Sequence, residues 1–264
     1  MRILLRVAYD GTKFHGSARQ PDLRTVEGEV EFVLRKIGAI QDIPSSRFLF
    51  ASRTDAGVSA LGNAVAVTTG FPPEGLVGAF NHEASYVFAT GFAAVPEDFD
   101  PRHAQARWYR YHLPEVKDIE PWRRYTRLFI GEHDFASFTR DTGETVRRVE
   151  SVEVERVEGM AVLDVRATGF LWNMIRRLVS ALSALASGDA VEAEVSAALR
   201  GEVQIDLGTA RPEPLTLMAV EYPFSFLGGL DTATRERLLR RLQDARIRSK
   251  WLSDLANRGG PNGD

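Results

Sequence analysis

The segment at residues 48–68 constrains this chain most, because it sets a short polar loop between two apolar stretches. Residues 48–51 and 64–68 are each short and apolar, as buried strands are. The loop between them contains Arg53 and one carboxylate, Asp55, followed by Ala-Gly. Loops held by a rigid sheet often carry catalytic side chains. The competing interpretation is a turn in which Asp55 bonds its own backbone.

Apolar patterns outside this loop predict two halves that each mix strands and helices. In the first half, residues 2–9 alternate as a strand, Thr25 caps a helix that runs to Ile37, and Pro72-Pro73 opens another helix. In the second half, strand or helix signals lie at residues 107–113, 149–157, 161–167, 170–185 and 217–222. This mixture indicates an α+β fold.

The last part of the chain predicts a basic amphipathic helix at residues 231–255. Leu238, Leu242 and Trp251 are among its apolar positions. We expect this helix to pack on its own domain, with a second subunit or RNA as alternative partners.

Composition limits the available chemistry. The chain has no Cys, which excludes disulfides, thiolate nucleophiles and Cys-ligated metals, and its five His lack metal-binding spacing. No apolar run reaches the roughly 20 residues that span a bilayer, and the first residues lack a signal-peptide pattern. We therefore expect a cytoplasmic protein without a metal site.

Charge is small in total but unevenly distributed. The formal net charge is −3 at pH 7, yet residues 102–127 contain seven Lys or Arg against three acidic residues. Residues 229–258 contain eight against four, whereas residues 70–101 contain no Lys or Arg. Such basic segments can present a positive groove to RNA, although ordinary solvated faces explain the same counts.

Five ordered motifs connect the two halves. They are Tyr-Asp-Gly-Thr-Lys-Phe-His-Gly at 9–16, Arg-Thr-Asp-Ala-Gly-Val at 53–58, Arg-Trp-Tyr-Arg-Tyr at 107–111, Gly-Glu-His-Asp-Phe at 131–135 and Phe-Leu-Trp-Asn-Met-Ile-Arg-Arg at 170–177. Together they resemble the TruA-type tRNA pseudouridine synthases, the tRNA pseudouridine synthase I family, over residues 2–223. Ser17-Ala18 and Ser59 depart from the family pattern, which often has Trp-Gln and His there.

The resemblance implies a cofactor-free isomerase that converts uridine to pseudouridine in the anticodon stem-loop, at positions 38–40 of the tRNA. It also implies a homodimer and two related α/β domains that share one mostly antiparallel sheet. We place these domains at residues 1–104 and 105–264, with a helical extension at the end of the second. The reaction moves the sugar from N1 to C5 of the base, so it needs a nucleophile and a base for the C5 proton.

Matched motif positions imply which residues perform these tasks. Asp55 is the nucleophile, because a carboxylate forms an adduct that can later leave, whether it attacks C1′ or C6. Tyr109 stacks on the flipped uridine and takes the C5 proton. Arg176 keeps Asp55 ionised and aligned through two hydrogen bonds, and Arg53 holds the displaced RNA backbone.

Weaker candidates, for contact with RNA phosphates, are Lys13, Arg19, Arg107 and Arg110. Without the motifs, Tyr109 is an ordinary core aromatic and each arginine a solvated surface charge. Two other functions stay open. One is a non-catalytic RNA-binding module on the same fold. The other is a nucleoside or glycoside hydrolase, which commonly uses a second carboxylate, and none stands out near Asp55.

Overall fold

A computed structural model describes residues 1–259, which form one nine-stranded sheet and seven α-helices. The strands are β1 (Arg2–Tyr9), β2 (Leu49–Phe50), β3 (Ser59–Thr68), β4 (Val87–Val95), β5 (Ala106–Leu113), β6 (Gly131–Asp134), β7 (Val146–Val157), β8 (Met160–Ala167) and β9 (Leu215–Glu221). The helices are α1 (Val26–Lys36), α2 (Ile43–Ser46), α3 (Pro73–Glu83), α4 (Glu120–Thr126), α5 (Met174–Ser187), α6 (Glu192–Leu199) and α7 (Thr232–Ala256). The predicted α+β class is confirmed.

Strands β3 and β9 join the two halves at the centre of the sheet. The strand order is β4-β1-β3-β9-β5-β8-β7-β6, with β2 beside β3. Ala60 of β3 lies opposite Leu217 of β9 in a parallel pair, and Leu217 lies opposite Tyr109 of β5 in an antiparallel pair. The start of β3 is therefore two strands from Tyr109 in one continuous sheet. The domain boundary after residue 104 stays a prediction.

Local signals set several element ends. Thr25 caps α1, since its side chain accepts a hydrogen bond from the backbone N–H of Gly28. The helix predicted from residue 170 begins instead at Met174, because Asn173 has a left-handed backbone with φ of 64°. A helix cannot continue through that conformation, so Phe170 lies in the preceding loop.

The chain after β9 returns to the first half of the sheet. Phe92 of β4 and Leu227 exchange two backbone hydrogen bonds, of 2.9 and 2.7 Å. Helix α7 then packs near the end of α3, where Arg237 donates to the carbonyl of Asn81 and Arg241 donates to that of Ser85. No helix among residues 1–259 has the length and apolar content to cross a membrane.

Only the first part of α7 is packed against the sheet domain. The helix has 25 residues and is about 37 Å long at 1.5 Å per residue. From Leu242 to Arg258 every described side chain is exposed, including Trp251. The prediction that α7 packs on its own domain thus holds for its first part alone, because the helix extends beyond the surface that supports it.

Candidate active site

The carboxylate of Asp55 faces the guanidinium of Arg176 in the first turn of α5. Arg176 Nη1 donates to Asp55 Oδ2 at 2.9 Å, and the two side chains are 17% and 25% exposed. Arg176 Nη1 also donates to Asn173 Oδ1 at 3.0 Å, and its Nε donates to the carbonyl of Ala210 at 2.7 Å. One hydrogen bond therefore replaces the two that were expected, because Nε is turned to Ala210.

The other carboxylate oxygen of Asp55 is open. Among residues 1–259, Arg176 is the hydrogen-bond donor to this side chain, and it contacts Oδ2 alone. A carboxylate held through one oxygen keeps its orientation while the second oxygen is available for attack. The geometry of Asp55 is thus compatible with a nucleophile.

Residues 55–58 form a tight turn. The backbone N–H of Val58 donates to the carbonyl of Asp55 at 3.1 Å, and Gly57 has φ of 88°. A Cβ at Gly57 would make a tight contact of 3.0 Å with Cγ of Pro212, and the left-handed backbone angle favours glycine. The turn interpretation is correct for the backbone, but the carboxylate binds Arg176.

Buried polar groups anchor this loop on its inner side. Ser17 Oγ accepts from the backbone N–H of Thr54 at 2.7 Å, and the N–H of Ser17 donates to the Thr54 carbonyl at 3.0 Å. The Thr54 hydroxyl pairs with that of Tyr9 at 2.9 Å, and Asn63 Nδ2 donates to the same Tyr9 hydroxyl at 3.0 Å. All four residues are buried, so the backbone next to Asp55 is held firmly.

The loop after β1 is attached to the Asp55 loop as well. Ser59 Oγ accepts from the N–H of Gly11 at 3.0 Å. A Cβ at Gly11 would lie only 2.1 Å from the carbonyl oxygen of Val58. Ser17 and Ser59, the two departures from the family pattern, therefore both join these loops. Sequence reasoning missed this role, since the only signal at these two positions was that their residue types depart from the family pattern.

Tyr109 lies on β5 with 7% of its surface exposed. The ring of Phe170 packs edge-on against it with centroids 5.4 Å apart. Burial raises the pKa of the Tyr109 phenol well above its ordinary value, and the neighbouring Tyr9 and the Asp55 charge raise it further, against a lowering effect of Arg107. Tyr109 is therefore a neutral phenol within the electrostatic reach of Asp55.

Tyr111, two residues later, faces different charges. Burial raises its pKa too, but Arg176 and Arg211 lower it and Glu213 raises it. Tyr109 thus lies near the charge of Asp55 and Tyr111 near that of Arg176, so the choice of Tyr109 as the site tyrosine stays a prediction.

The other predicted cations divide into two groups. Arg53 and Lys13 are exposed and form no ion pair within residues 1–259. Arg19 is exposed but pairs with Glu31 at 2.8 Å. These three side chains face solvent on the loops around Asp55.

Arg107 and Arg110 are instead engaged within the protein. Arg107 donates to the Ser52 hydroxyl at 2.8 Å, to the carbonyls of Ala51 and Arg102 at 3.0 and 2.8 Å, and to the carbonyl of Thr168. Arg110 binds both carboxylate oxygens of Asp164 at 2.8 and 2.7 Å. All three guanidinium nitrogens of Arg107 are therefore committed to the fold, and the charge of Arg110 is paired with that of Asp164. Sequence patterns do not reveal such acceptors, because most of them are distant in the chain and are brought close by the fold.

Comparison with known proteins gives a consistent result. A family model described as tRNA pseudouridine synthase matches residues 126–223. A protein of Thermococcus onnurineus named tRNA pseudouridine synthase A is 40% identical, over 97% of this chain and 98% of that protein. Proteins of the same name from Thermococcus sibiricus and Methanococcoides burtonii are 42% and 36% identical, over 84% and 97% of this chain and 85% and 95% of their own lengths. A solved Cbf5-Nop10-Gar1 complex matches with a TM-score of 0.31 and 15% identity over 67% of this chain and 43% of that one, which is too low to support an argument.

Proposed function

This chain belongs to the tRNA pseudouridine synthase family, and we propose on this basis that it isomerises uridine in tRNA with Asp55 as the nucleophile. The observation that carries the proposal is the hydrogen bond of 2.9 Å from Arg176 to Asp55 Oδ2. It fixes the carboxylate at the end of a firmly anchored loop and leaves Oδ1 open. Arg176 also places a positive charge beside the carboxylate, at 2.9 Å from the oxygen that it binds.

The reaction is balanced without a cofactor. Asp55 Oδ1 bonds to C1′ or C6, the C1′–N1 bond breaks, and the detached base turns so that C5 bonds to C1′. The bond from Asp55 Oδ1 then breaks, which restores the free carboxylate. Loss of the C5 proton restores the aromatic ring, and N1 gains a proton. Atoms and electrons are conserved, so the residues must supply only a nucleophile, a hold on the base and a path for one proton.

Tyr109 supplies the hold on the base and takes part in the proton step. A flipped uridine needs an aromatic face once it has left its stack, and such stacking contributes about 1–3 kcal/mol per base. Because Tyr109 is a neutral phenol, its oxygen takes the C5 proton while its own proton passes to N1 of the base, the atom that gains a proton in the product. Phe170 holds the ring edge-on and so fixes the position of the hydroxyl.

The substrate is a tRNA uridine in the anticodon stem-loop, at positions 38–40, as the family resemblance implies. Arg53 supports this proposal, since it is exposed two residues before Asp55 and is free to hold the displaced backbone. Lys13 and Arg19 lie on the adjacent loop and remain candidates for phosphate contact. We leave Arg107 and Arg110 out of the RNA contacts, because their guanidinium groups are bound within the protein.

We also propose a cytoplasmic homodimer. Its location follows from the tRNA substrate. The distal half of α7, residues 242–256, exposes five large apolar side chains, and their exposed fractions run from 44% to 68%: Leu242, Ile247, Trp251, Leu252 and Leu255. A second copy of the chain would cover them. Light scattering should give twice the chain mass, and Trp251→Ser with Leu255→Ser should lower it. A monomer at micromolar concentration would contradict the proposal.

A hydrolase is disfavoured by the pKa of Glu213, a second carboxylate beside the Asp55 loop. Gly57 belongs to the Asp55 loop, and a Cβ atom placed on it would lie 3.7 Å from Cγ of Glu213. A hydrogen bond from its own backbone, and then the charge of Arg211, lower the pKa of Glu213. A general acid needs the opposite shift. A non-catalytic module is disfavoured because Asp55, Arg176 and Tyr109 are assembled together.

The test uses tRNA that carries tritium at uridine C5. An isomerase releases tritium to water as C5 loses its proton, and mapping the product gives the modified positions. Neither a binding module nor a hydrolase releases it. We expect release from an anticodon stem-loop uridine, and its absence with folded, tRNA-bound protein would contradict the proposed function.

A further inference from the structure

Three cations converge on the ring of Tyr86, just before β4. The distances to the ring centroid are 4.9 Å for Arg24 Cζ, 5.2 Å for Arg241 Cζ and 6.0 Å for Lys13 Nζ. Lys13 and Arg24 lie in the connection between β1 and α1, and Arg241 lies in α7. The packing of α7 therefore completes a cluster that the first half of the chain begins.

The cluster continues on both sides of Tyr86. Arg24 also lies over Phe14, at 5.1 Å, and Arg241 lies over Phe88, at 5.7 Å. Arg237 lies over the same Phe88 ring at 5.5 Å. Cations and aromatic rings thus alternate along one surface. We call this surface the Tyr86 patch, formed by Lys13, Phe14, Arg24, Tyr86, Phe88, Arg237 and Arg241.

The Tyr86 patch borders the catalytic loop through the end of β1. Asp10 donates its backbone N–H to the carbonyl of Tyr86 at 3.3 Å. The preceding residue, Tyr9, pairs with the hydroxyl of Thr54 at 2.9 Å, and Thr54 is adjacent to Asp55. A polymer that delivers a nucleotide to Asp55 would therefore reach the patch with neighbouring nucleotides.

The charge of the patch is largely uncompensated. Within residues 1–259, Arg24 pairs with Glu29 at 2.9 Å, while Lys13, Arg237 and Arg241 have no acidic partner within 4.0 Å. Like charges held this close repel one another unless an anion joins them. In the described part of the chain, Arg241 donates one hydrogen bond, from Nη1 to the carbonyl of Ser85. The other N–H groups at the edge of its ring-stacked guanidinium match phosphate oxygens.

We propose that the Tyr86 patch binds backbone phosphates of the tRNA, and that α7 is thereby an RNA-binding element of this enzyme. The inference rests on the proposed function for the identity of the RNA. Aromatic rings hold the cations in place, and the cations, not the rings, contact the RNA. Since phosphates carry no base identity, the patch strengthens tRNA binding without selecting a sequence.

The test measures tRNA affinity against KCl concentration for full-length variants. Each lost phosphate contact should reduce the slope of log Kd against log[KCl] by about 0.7–0.9. We expect that reduction in Lys13→Gln and in Arg241→Gln, and roughly twice as much in the double variant. Arg241→Lys keeps the charge and should keep the wild-type slope. Arg240→Gln is the matched control, because Arg240 is exposed and points about 100° around the helix from Arg241.

The outcomes separate three explanations. Wild-type slopes in both Lys13→Gln and Arg241→Gln would overturn the proposal. Equal losses in Arg241→Gln and Arg241→Lys, with none in Lys13→Gln, would show that Arg241 only anchors α7 to Ser85, which also overturns it. Failure of the proposed function would look different, since wild-type protein would then bind tRNA without releasing tritium from C5.

Discussion

Asp55 and Arg176 are separated by 121 positions in the chain and meet at 2.9 Å. Asp55 precedes β3 and Arg176 lies in α5, so each half of the chain contributes one partner. The parallel contact between β3 and β9 brings these halves together. The site therefore exists only in the complete sheet, and each of its parts can be tested separately.

Arg176→Lys should lower the maximal rate while tRNA binding changes little. Lysine keeps the charge but loses the planar guanidinium, whose Nε binds Ala210 while Nη1 binds Asp55 and Asn173. A carboxylate displaced by about 1 Å can lose about 100-fold in rate. Single-turnover tritium release measures this loss. Arg200→Lys, at an exposed arginine, is the control. Wild-type kinetics in Arg176→Lys would show that Arg176 contributes only a charge and does not position Asp55.

The two tasks of Tyr109 can be separated by substitution. Tyr109→Phe keeps the aromatic face and should bind tRNA normally, form the adduct and stop before C5 loses its proton. Tyr109→Ala should also fail to form the adduct. Tritium release reports the late step, and a covalent enzyme–RNA band on a denaturing gel reports the early one.

Tyr111→Phe is the internal control for that experiment, since Tyr111 lies two residues further along β5. It should release tritium at the wild-type rate. If Tyr111→Phe fails while Tyr109→Phe proceeds normally, the site tyrosine is Tyr111 and the assignment on this strand is wrong.

Ser17→Ala should destabilise the Asp55 loop. The substitution leaves the buried N–H of Thr54 without its acceptor at 2.7 Å, which costs about 1–3 kcal/mol. We expect a lower unfolding free energy in urea and slower tritium release. Ser183→Ala, at an exposed position of α5, controls for the loss of a hydroxyl. Equal stability and activity in both variants would remove Ser17 from the loop anchor.

Alkaline pH should destabilise the protein through its buried tyrosines. Burial raises the pKa of Tyr9 to about 12, and it raises the pKa values of Tyr109 and Tyr222 as well. Unfolded tyrosine has a pKa of about 10, so the unfolded chain loses these protons first. The stabilisation is complete below pH of about 10 and is lost as pH rises toward the native values. Urea unfolding should show this decline, and a constant free energy above pH of about 10 would contradict it.

Local chemistry in the sequence predicts much of the fold. Thr25 marks the start of α1, and Glu158 and Gly159 form the turn between β7 and β8 with φ of 50° and 85°. These features depend on neighbouring residues alone. The start of α5 does not, because the left-handed Asn173 accepts a hydrogen bond from Arg176, which also binds the distant Asp55.

Physical reasoning from the sequence predicts less of the site than of the fold. Asp55, Tyr109 and Arg176 were assigned through motif resemblance, since no local pattern indicates that a loop and a helix 121 positions apart will meet. The buried role of Ser17 and the internal acceptors of Arg107 arise from tertiary contacts. Whether a side chain binds within the protein or can reach the substrate depends on its exposure, and that exposure is set by the whole fold.

The most direct measurement of the central claim is single-turnover tritium release by Asp55→Asn. Asparagine has nearly the same shape and can still accept a hydrogen bond from Arg176, but it is not a nucleophile of comparable strength. Asp98→Asn, at an exposed aspartate, is the matched control. We predict that Asp55→Asn folds, binds tRNA with nearly wild-type affinity and releases no tritium, while Asp98→Asn behaves as wild type. Tritium release above trace level from Asp55→Asn would contradict the assignment of Asp55 as the nucleophile.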